Sequence, residues 1–432
     1  MTKRLLAAAT SLWLILIVAL GLRLGFAWDY AHHNPKQALS VIPFMFESSN
    51  IAYSVAVGNG FSSPLHVNTG PTAWMTPIYP LIVAAVFRLF GFYTFYSWVV
   101  VILLNILFTT LACVPVFYAG KRIAGFGGAA GAAWLWAIFP NAIQIPVESI
   151  WDASLAALLG AVILWSTLKV AESRRARGWC AYGLLWGLAL MTNAALLSLL
   201  PLLASWMAYR AWKEGRSWFA GPALALGVAA LCCVPWTIRN YTVFHAFVPF
   251  RSTLGLQLWM GNNAASKDVW LGEGHPIHSS AERAKYVELG EIAYMQEKRE
   301  EAIRYMLTHP SREAHLIGRR FIALWSGGTP NPLSDFFRYH SLWFRSVLLF
   351  NILAAIGALL GIVVLIRRRN TYAFPVAVFP LVFPWAYYAT LALPRYRLPI
   401  DPIVLLLAAV ALQRLVQRLA LNASRKMGSA VA

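Results

Sequence analysis

Ten apolar runs dominate this chain, and they leave it few ways to fold. A helix needs roughly 20 apolar residues to cross the hydrocarbon core of a bilayer. Runs near that length fall at about 5–27, 96–119, 124–143, 151–170, 179–194, 196–212, 218–237, 341–366, 372–392 and 399–418. The sequence therefore predicts an all-α polytopic membrane protein with about ten transmembrane helices. Of its 432 residues, 59% are hydrophobic and 12% charged, a balance foreign to soluble enzymes. The runs extend nearly end to end, so residues 1–432 read as one integral-membrane unit. The first run follows Lys3 and Arg4, is long enough to span and has no clean small-residue cleavage site, so it reads as a helix rather than a removable signal. The stretch 77–91 is shorter and holds Pro77, Pro80 and Arg88; it reads as a helix lying at the interface.

The formal charge of +19 would suit nucleic acid if it were pooled, but the basic residues sit in short runs between spans. Such runs are orientation signals: cytoplasmic loops carry the excess of Lys and Arg. With the N-terminus placed in the cytoplasm, the inner segments hold 18 of the 36 basic residues and two acids, Glu172 and Glu214. The other 15 of 17 acids face outward, and both termini face inward, provided 77–91 does not cross. Chemistry that uses carboxylates then belongs on the outer face. The four cysteines lie in or beside apolar runs and read as small core residues rather than a disulfide framework.

Two outward regions are large: residues 28–95, with interfacial helices, and residues 238–340. The second contains SSAERAKYVELGEIAYMQEKREEAIRYMLTHP, whose apolar spacing predicts one or two solvated amphipathic helices. The first contains Glu47, followed by Ser48, Ser49 and Asn50. Two readings fit this acid: a group at the start of a helix among good capping residues, or an ionisable group held at a membrane boundary for a task. Glu148 and Asp152 follow in PVESIWDASLAALL. A spacing of four would put both on one helix face, where they would bind a cation or share a proton; the other reading is an interfacial helix start with Trp151 as its membrane anchor.

A basic group completes the inventory. Arg239 and Arg251 follow the run ending near 237, and Arg395 and Arg397 stand in PRYRLPIDP before the last run. Arginines flanked by prolines and aromatics at a membrane face suit a phosphate, either of a substrate or of lipid headgroups. His66, His275, His278 and His309 are scattered without metal-ligand spacing, and neither a Walker loop nor a G-x-S-x-G elbow occurs.

The acid after the first span, the following IAYSVAVGNGFSSP, the P-x-Y-P of Pro77 to Pro80, PWTIRNYTVFHAFVPFRSTLG with LWMGNN, and RYRLPIDPIVLLLAA resemble, in order, the GT-C superfamily of membrane glycosyltransferases. More narrowly, the chain looks like the bacterial branch related to protein O-mannosyltransferases and the aminoarabinose (lipid A) transferases. The resemblance implies a polyprenyl-phosphate sugar donor, a lipid, glycan or protein acceptor, and action on the outer face of a bacterial cytoplasmic membrane. It implies membrane lipids as partners, no nucleic acid, no certain cofactor, and room for a divalent metal. The family's base is an acid of the first outer loop, here Glu47; the family more often carries Asp, frequently with a second acid beside it, where this chain has Ser48.

The residue inventory suits such a reaction. A polyprenyl phosphate is a stable anion, so no general acid is needed to expel it. One carboxylate can deprotonate the acceptor while cations receive the phosphate, whereas a glycosidase needs two carboxyl groups with divided roles. Carried onto this sequence, the resemblance makes Glu47 the base, and the residue inventory adds Asp152 as a second site acid. Arg239, Arg251, Arg395 and Arg397 become donor-phosphate candidates, and Tyr79 and Glu148 substrate contacts. Tyr53, Trp74 and Tyr79 are candidates to line the sugar pocket. A single displacement would invert the anomeric centre. Two rivals stand beside this reading. A transporter of lipid-linked saccharides should show internal symmetry and breaks at the bilayer midplane, and a non-catalytic relative of the same fold should bind donor without turning it over.

Overall fold

The computed structural model describes residues 10–34, 46–266 and 274–431, with side chains described as far as Ser424. Lys3, Arg4 and the first residues of the expected 5–27 span lie outside the described residues. The fold is all-helical; one isolated bridge, Ser62 to Pro71, is the sole β pairing among the described residues. In chain order the helices are α1 (Leu12–His33), α2 (Glu47–Ala56), α3 (Ile78–Phe90), α4 (Phe95–Leu111), α5 (Cys113–Ala137), α6 (Pro140–Glu148), α7 (Ala153–Val170) and α8 (Ala176–Thr192). A short 3-10 turn, Ala194–Leu199, leads into α9 (Leu200–Lys213), followed by α10 (Ala220–Phe244), α11 (Leu254–Gly261), α12 (Ser280–Leu289), α13 (Glu291–Thr308), α14 (Pro310–Ser326) and α15 (Pro332–Arg338). The chain ends with α16 (Leu342–Arg367), α17 (Ala373–Val382), α18 (Trp385–Ala389), α19 (Pro394–Arg397) and α20 (Asp401–Val431).

Among the described residues, seven stretches are long and apolar enough to cross a membrane, fewer than the ten runs read from hydropathy. The difference has local causes. One of the seven is the 43-residue run Phe95–Ala137, which covers the ground of two expected spans. At 1.5 Å per residue a straight helix of that length would extend about 65 Å, twice the hydrocarbon core. Gly125, at φ 73° and ψ −168°, breaks it. A Cβ on Gly120 would sit 3.0 Å from the Cα of Ala129, so the two arms lie directly against each other. Helix α8 has 17 residues, and the last but one run is divided at Pro384 into α17 and α18. Helix α3 has 13 residues, about 20 Å, too short to span.

The main core gathers apolar residues of α5, α7, α8, α9, α17 and α20 around Trp136, Trp186, Leu164 and Val404. One cation is built into it. Arg23, fully buried in α1, donates to Ala19 O (2.8 Å), Thr109 Oγ1 (3.0 Å), Ala137 O (3.0 Å) and Trp136 O (3.3 Å). The last two carbonyls end α5, where helical partners run out. A charge inside a membrane is costly unless its hydrogen bonds are met, and here the carbonyls at a helix terminus help to meet them.

The two regions expected to face outward fold onto one another. Ile51, Leu65, Trp74 and Met75 of the first pack with Leu256, Met260, Tyr286, Tyr294 and Met295 of the second in one buried cluster. The stretch 280–308 forms two helices, α12 and α13, with charge on their exposed faces. Buried Glu291, at the start of α13, accepts from Ala73 N, Ser252 Oγ and Tyr286 OH, each at 2.7 Å, and from Thr72 Oγ1.

Candidate active site

A cavity of about 450 Å³ opens where these two regions meet the ends of α7, α18 and α19. It collects Glu47, Asp152, Arg251 and Arg395, four of the residues singled out from sequence. It also collects Asn193, His275, His278, Tyr387 and Tyr396, none of which the sequence reading assigned to a site. Of the three aromatics considered for a sugar pocket, Trp74 lines it, and Tyr53 and Tyr79 do not.

Glu47 is the first residue of α2. The capping arrangement suggested by its neighbours does not form: the N-cap is Phe46, with no side-chain hydrogen bond, and Ser48 and Ser49 Oγ are buried without a partner among the described residues. The carboxylate is instead 4% exposed, and its Oε1 lies 3.0 Å from His275 Nε2. Burial pushes this carboxyl upward; His275, the backbone N–H at the helix start and Arg395 outweigh it and hold the group below its ordinary value. Glu47 is therefore ionised at neutral pH. His278 is pushed down, chiefly by burial and then by His275.

Asp152 sits immediately before α7, and its Oδ2 accepts from Asn193 Nδ2 at 2.9 Å. Burial raises this carboxyl above its usual value, although Arg251, Asn193 and Arg395 pull the other way. The cavity thus holds two acids whose surroundings push them in opposite directions, the arrangement by which a site divides roles between like groups. Arg251 Nε donates to Thr253 Oγ1 at 2.8 Å. Arg395 lies 4.4 Å from the Trp151 ring centre, and its Nε–H is buried with no acceptor among the described residues. Tyr387 and Tyr396 stack at 4.9 Å and 17°, forming an apolar wall.

The remaining sequence candidates lie elsewhere, each for a visible reason. Glu148 and Asp152 do not share a helix face: Pro146 stands in α6, Ser149 is extended, and Glu148 ends exposed, accepting from Gln144 at 2.8 Å. Arg239 points its guanidinium at Thr72 O and Phe61 O, both at 2.7 Å, with Trp236 beneath it at 5.2 Å. Arg397 is buried, bonded to Asp401 Oδ1 (2.6 Å), Leu324 O (2.9 Å) and Asn351 Oδ1. Tyr79, 1% exposed, donates to Asn105 Oδ1 at 3.1 Å.

A divalent metal would need donors that are aimed together. Glu47 and His275 contact each other, but no group of three His, Cys, Asp or Glu side chains suited to a metal occurs among the described residues. A catalytic zinc usually takes three protein ligands, so this donor set does not fit a protein-built zinc centre.

At the level of sequence the chain matches no protein-family model and no curated protein. Its fold does have counterparts. It superposes on the oligosaccharyltransferase of Archaeoglobus fulgidus in the apo form with a TM-score of 0.57 at 12% identity, covering 98% of this chain and 52% of that one. For the same archaeal enzyme, AglB, in complex with an inhibitory peptide and a dolichol-phosphate, the TM-score is 0.56 at 13% identity, covering 96% and 52%. The aminoarabinose transferase ArnT of Cupriavidus metallidurans, bound to undecaprenyl phosphate, aligns over 96% of this chain and 78% of its own, at 15% identity and a TM-score of 0.37. The chain is thus an integral membrane protein with a GT-C-like fold over nearly its whole length, and it spans about half the length of the oligosaccharyltransferase it matches.

Proposed function

We propose that this protein is a glycosyltransferase that moves a sugar from a polyprenyl-phosphate donor to a hydroxyl or amine acceptor, in a cavity on the outer face of a bacterial cytoplasmic membrane. The observation that carries this reading is the cavity's composition: an ionised, buried carboxylate at Glu47 faces a space also bordered by Arg251 and Arg395. The fold adds support, since the similar archaeal protein has been seen with a dolichol-phosphate.

In this reaction the acceptor oxygen or nitrogen attacks the anomeric carbon and its proton passes to Glu47. The bond from that carbon to the phosphate oxygen breaks, and its electron pair leaves with the polyprenyl phosphate. Arg251 and Arg395 stabilise the leaving charge, the unpaired Nε–H of Arg395 being one donor for it. His275 holds Glu47 in place through the 3.0 Å contact. Asp152, with its raised affinity for a proton, and Trp74 hold the sugar. Attack opposite the phosphate inverts the centre.

The test uses the full chain in liposomes with labelled undecaprenyl-phosphate-linked hexose and whole membrane extract, lipids included, as acceptor. Release of undecaprenyl phosphate is followed, so the acceptor need not be known. Glu47→Gln is expected to lower release by on the order of 10²–10⁴-fold, the usual contribution of a general base, while leaving donor binding intact. Full-rate release by a folded Glu47→Gln protein removes Glu47 from the mechanism. Donor binding without release by the unmodified protein identifies a non-catalytic relative.

A further inference from the structure

A second cavity, about 760 Å³, lies along the outside of α16 and α20. Its floor is made by Ala354, Gly357, Ala408 and Ala411. The two helices touch there: a Cβ on Gly357 would lie 2.8 Å from that of Ala408, and one on Gly361 would meet the backbone of Leu407. Larger side chains flank the floor, Leu353, Leu360 and Leu412 being 65%, 54% and 50% exposed. The result is an apolar slot rather than the convex surface of an ordinary span. Along α20 it runs from Leu405 to Arg418, about 20 Å at 1.5 Å per residue. That is enough for an acyl chain of one leaflet, about 15 Å or half the hydrocarbon core.

One end of the slot is strongly basic. Arg367, Arg368, Arg414 and Arg418 border it, and no acid does. Basic residues near this membrane edge are common, and the two acids among them are engaged away from the slot. Glu172 pairs with Arg122 and, at 3.6 Å, with Arg210; Glu214 pairs with Arg210 at 3.0 Å and Arg216 at 2.6 Å. None of the four slot arginines has a carboxylate partner among the described residues; Arg368 donates to Gln417 Oε1 at 3.2 Å. The slot therefore combines a place for a hydrocarbon chain with uncompensated charge at its mouth. That mouth lies some 17 residues along α20 from Asp401, about 26 Å from the end of the helix next to the candidate active site.

We propose that this slot binds an anionic glycerophospholipid, with one acyl chain along α16 and α20 and the headgroup phosphate held by Arg367, Arg368, Arg414 and Arg418. Basic pockets between spans are suited to anionic headgroups, and guanidinium forks to phosphate. The proposal does not depend on the catalytic reading.

Native mass spectrometry and thermal unfolding of the delipidated full chain in neutral detergent test it. Phosphatidylglycerol is expected to add as a discrete bound species and raise the melting temperature, an effect reduced by salt, with phosphatidylcholine giving neither. Arg414→Gln/Arg418→Gln is expected to weaken binding roughly thirtyfold, at about 1 kcal/mol per charge. Ala411→Phe keeps the charges, fills the slot and also abolishes the discrete species. Arg367→Gln/Arg368→Gln repeats the charge test on the other helix should the first pair fold poorly. Equal binding of phosphatidylcholine, or unchanged phosphatidylglycerol binding by both arginine pairs, overturns the proposal. Competition by inorganic phosphate alone would reduce the site to a surface anion site. Displacement of phosphatidylglycerol by an equimolar amount of undecaprenyl phosphate would assign the slot to the polyprenyl lipid instead.

Discussion

Arg395 and Arg397 show how far residue type alone can be read. Two positions apart on a helix, they point about 200° away from each other. Arg395 therefore enters the cavity and Arg397 turns into the protein, where Asp401 waits one turn on. The i, i+4 pairing of Arg397 with Asp401 was present in the sequence as a sign of a structural role; the unpaired partner was the better phosphate candidate. Arg395→Gln is expected to leave the protein folded and weaken polyprenyl-phosphate binding, measured as donor retention on the reconstituted protein. Arg397→Gln is expected to cost about 3–5 kcal/mol of stability by stranding a buried Asp401, seen as lost yield of monodisperse protein in detergent. The acids differ in the same way. Glu47 is held below its ordinary value, so its contribution to stability is present above the usual carboxylate range and is lost as pH falls through the lowered value. Asp152 is raised, so its ionisation costs the folded state at neutral pH and that cost disappears below its ordinary 3.8. Melting curves at pH 7 should accordingly show Asp152→Asn more stable than the parent and Glu47→Gln less stable, with both differences shrinking in acid. Glu47 was legible as an outward acid in an oversized loop. His275 was not, because nothing local marks a histidine whose partner lies in another region of the chain.

At the scale of elements, length and periodicity carried most of the information. The apolar runs became helices, and the charged stretch 280–308 became two. What hydropathy misses is where a run bends. Gly125 turns one apolar run back on itself, and the extended Ser149 separates α6 from α7 so that Asp152, not Glu148, reaches the cavity. Close packing between elements is equally invisible in one sequence. Gly160 of α7 lies against Pro399 O, just after the segment that carries Arg395. A Cβ there must push α7 away from that segment. Gly160→Ala is therefore expected to destabilise by about 1–3 kcal/mol, as overpacking does, and to weaken donor binding as well, because Asp152 and Arg395 sit on the two parts forced apart. A thermal shift with unchanged donor binding would show that the displacement relaxes elsewhere.

For the whole molecule, the informative fact is that residues far apart in the chain converge at one end of the helical bundle. Glu47, Asp152, Arg251, His275 and Arg395 meet there, and the buried Glu291 fastens the regions that carry them. The basic and acidic residues are divided as well. Glu172 and Glu214 lie among arginines at the other end, where Arg210 reaches both acids and Tyr372 OH accepts from Arg122 Nε at 3.0 Å and donates to Glu172 Oε1 at 3.1 Å. If the short loops rich in Lys and Arg mark the cytoplasmic side, the cavity must face outward, where a lipid-linked donor would present its sugar. Single-cysteine labelling decides this. The four native cysteines are replaced, and one cysteine is introduced at Asn68, exposed beside the cavity regions, or at Ser424, exposed near the end of α20. A membrane-impermeant maleimide applied to intact spheroplasts should modify Asn68→Cys, and should modify Ser424→Cys only after the membrane is opened. The reverse pattern would turn the cavity toward the cytoplasm and require a donor made and consumed on that side. Labelling of both positions from outside would mean an even number of crossings between them, and would require α3 or one of the other short apolar helices to be counted differently.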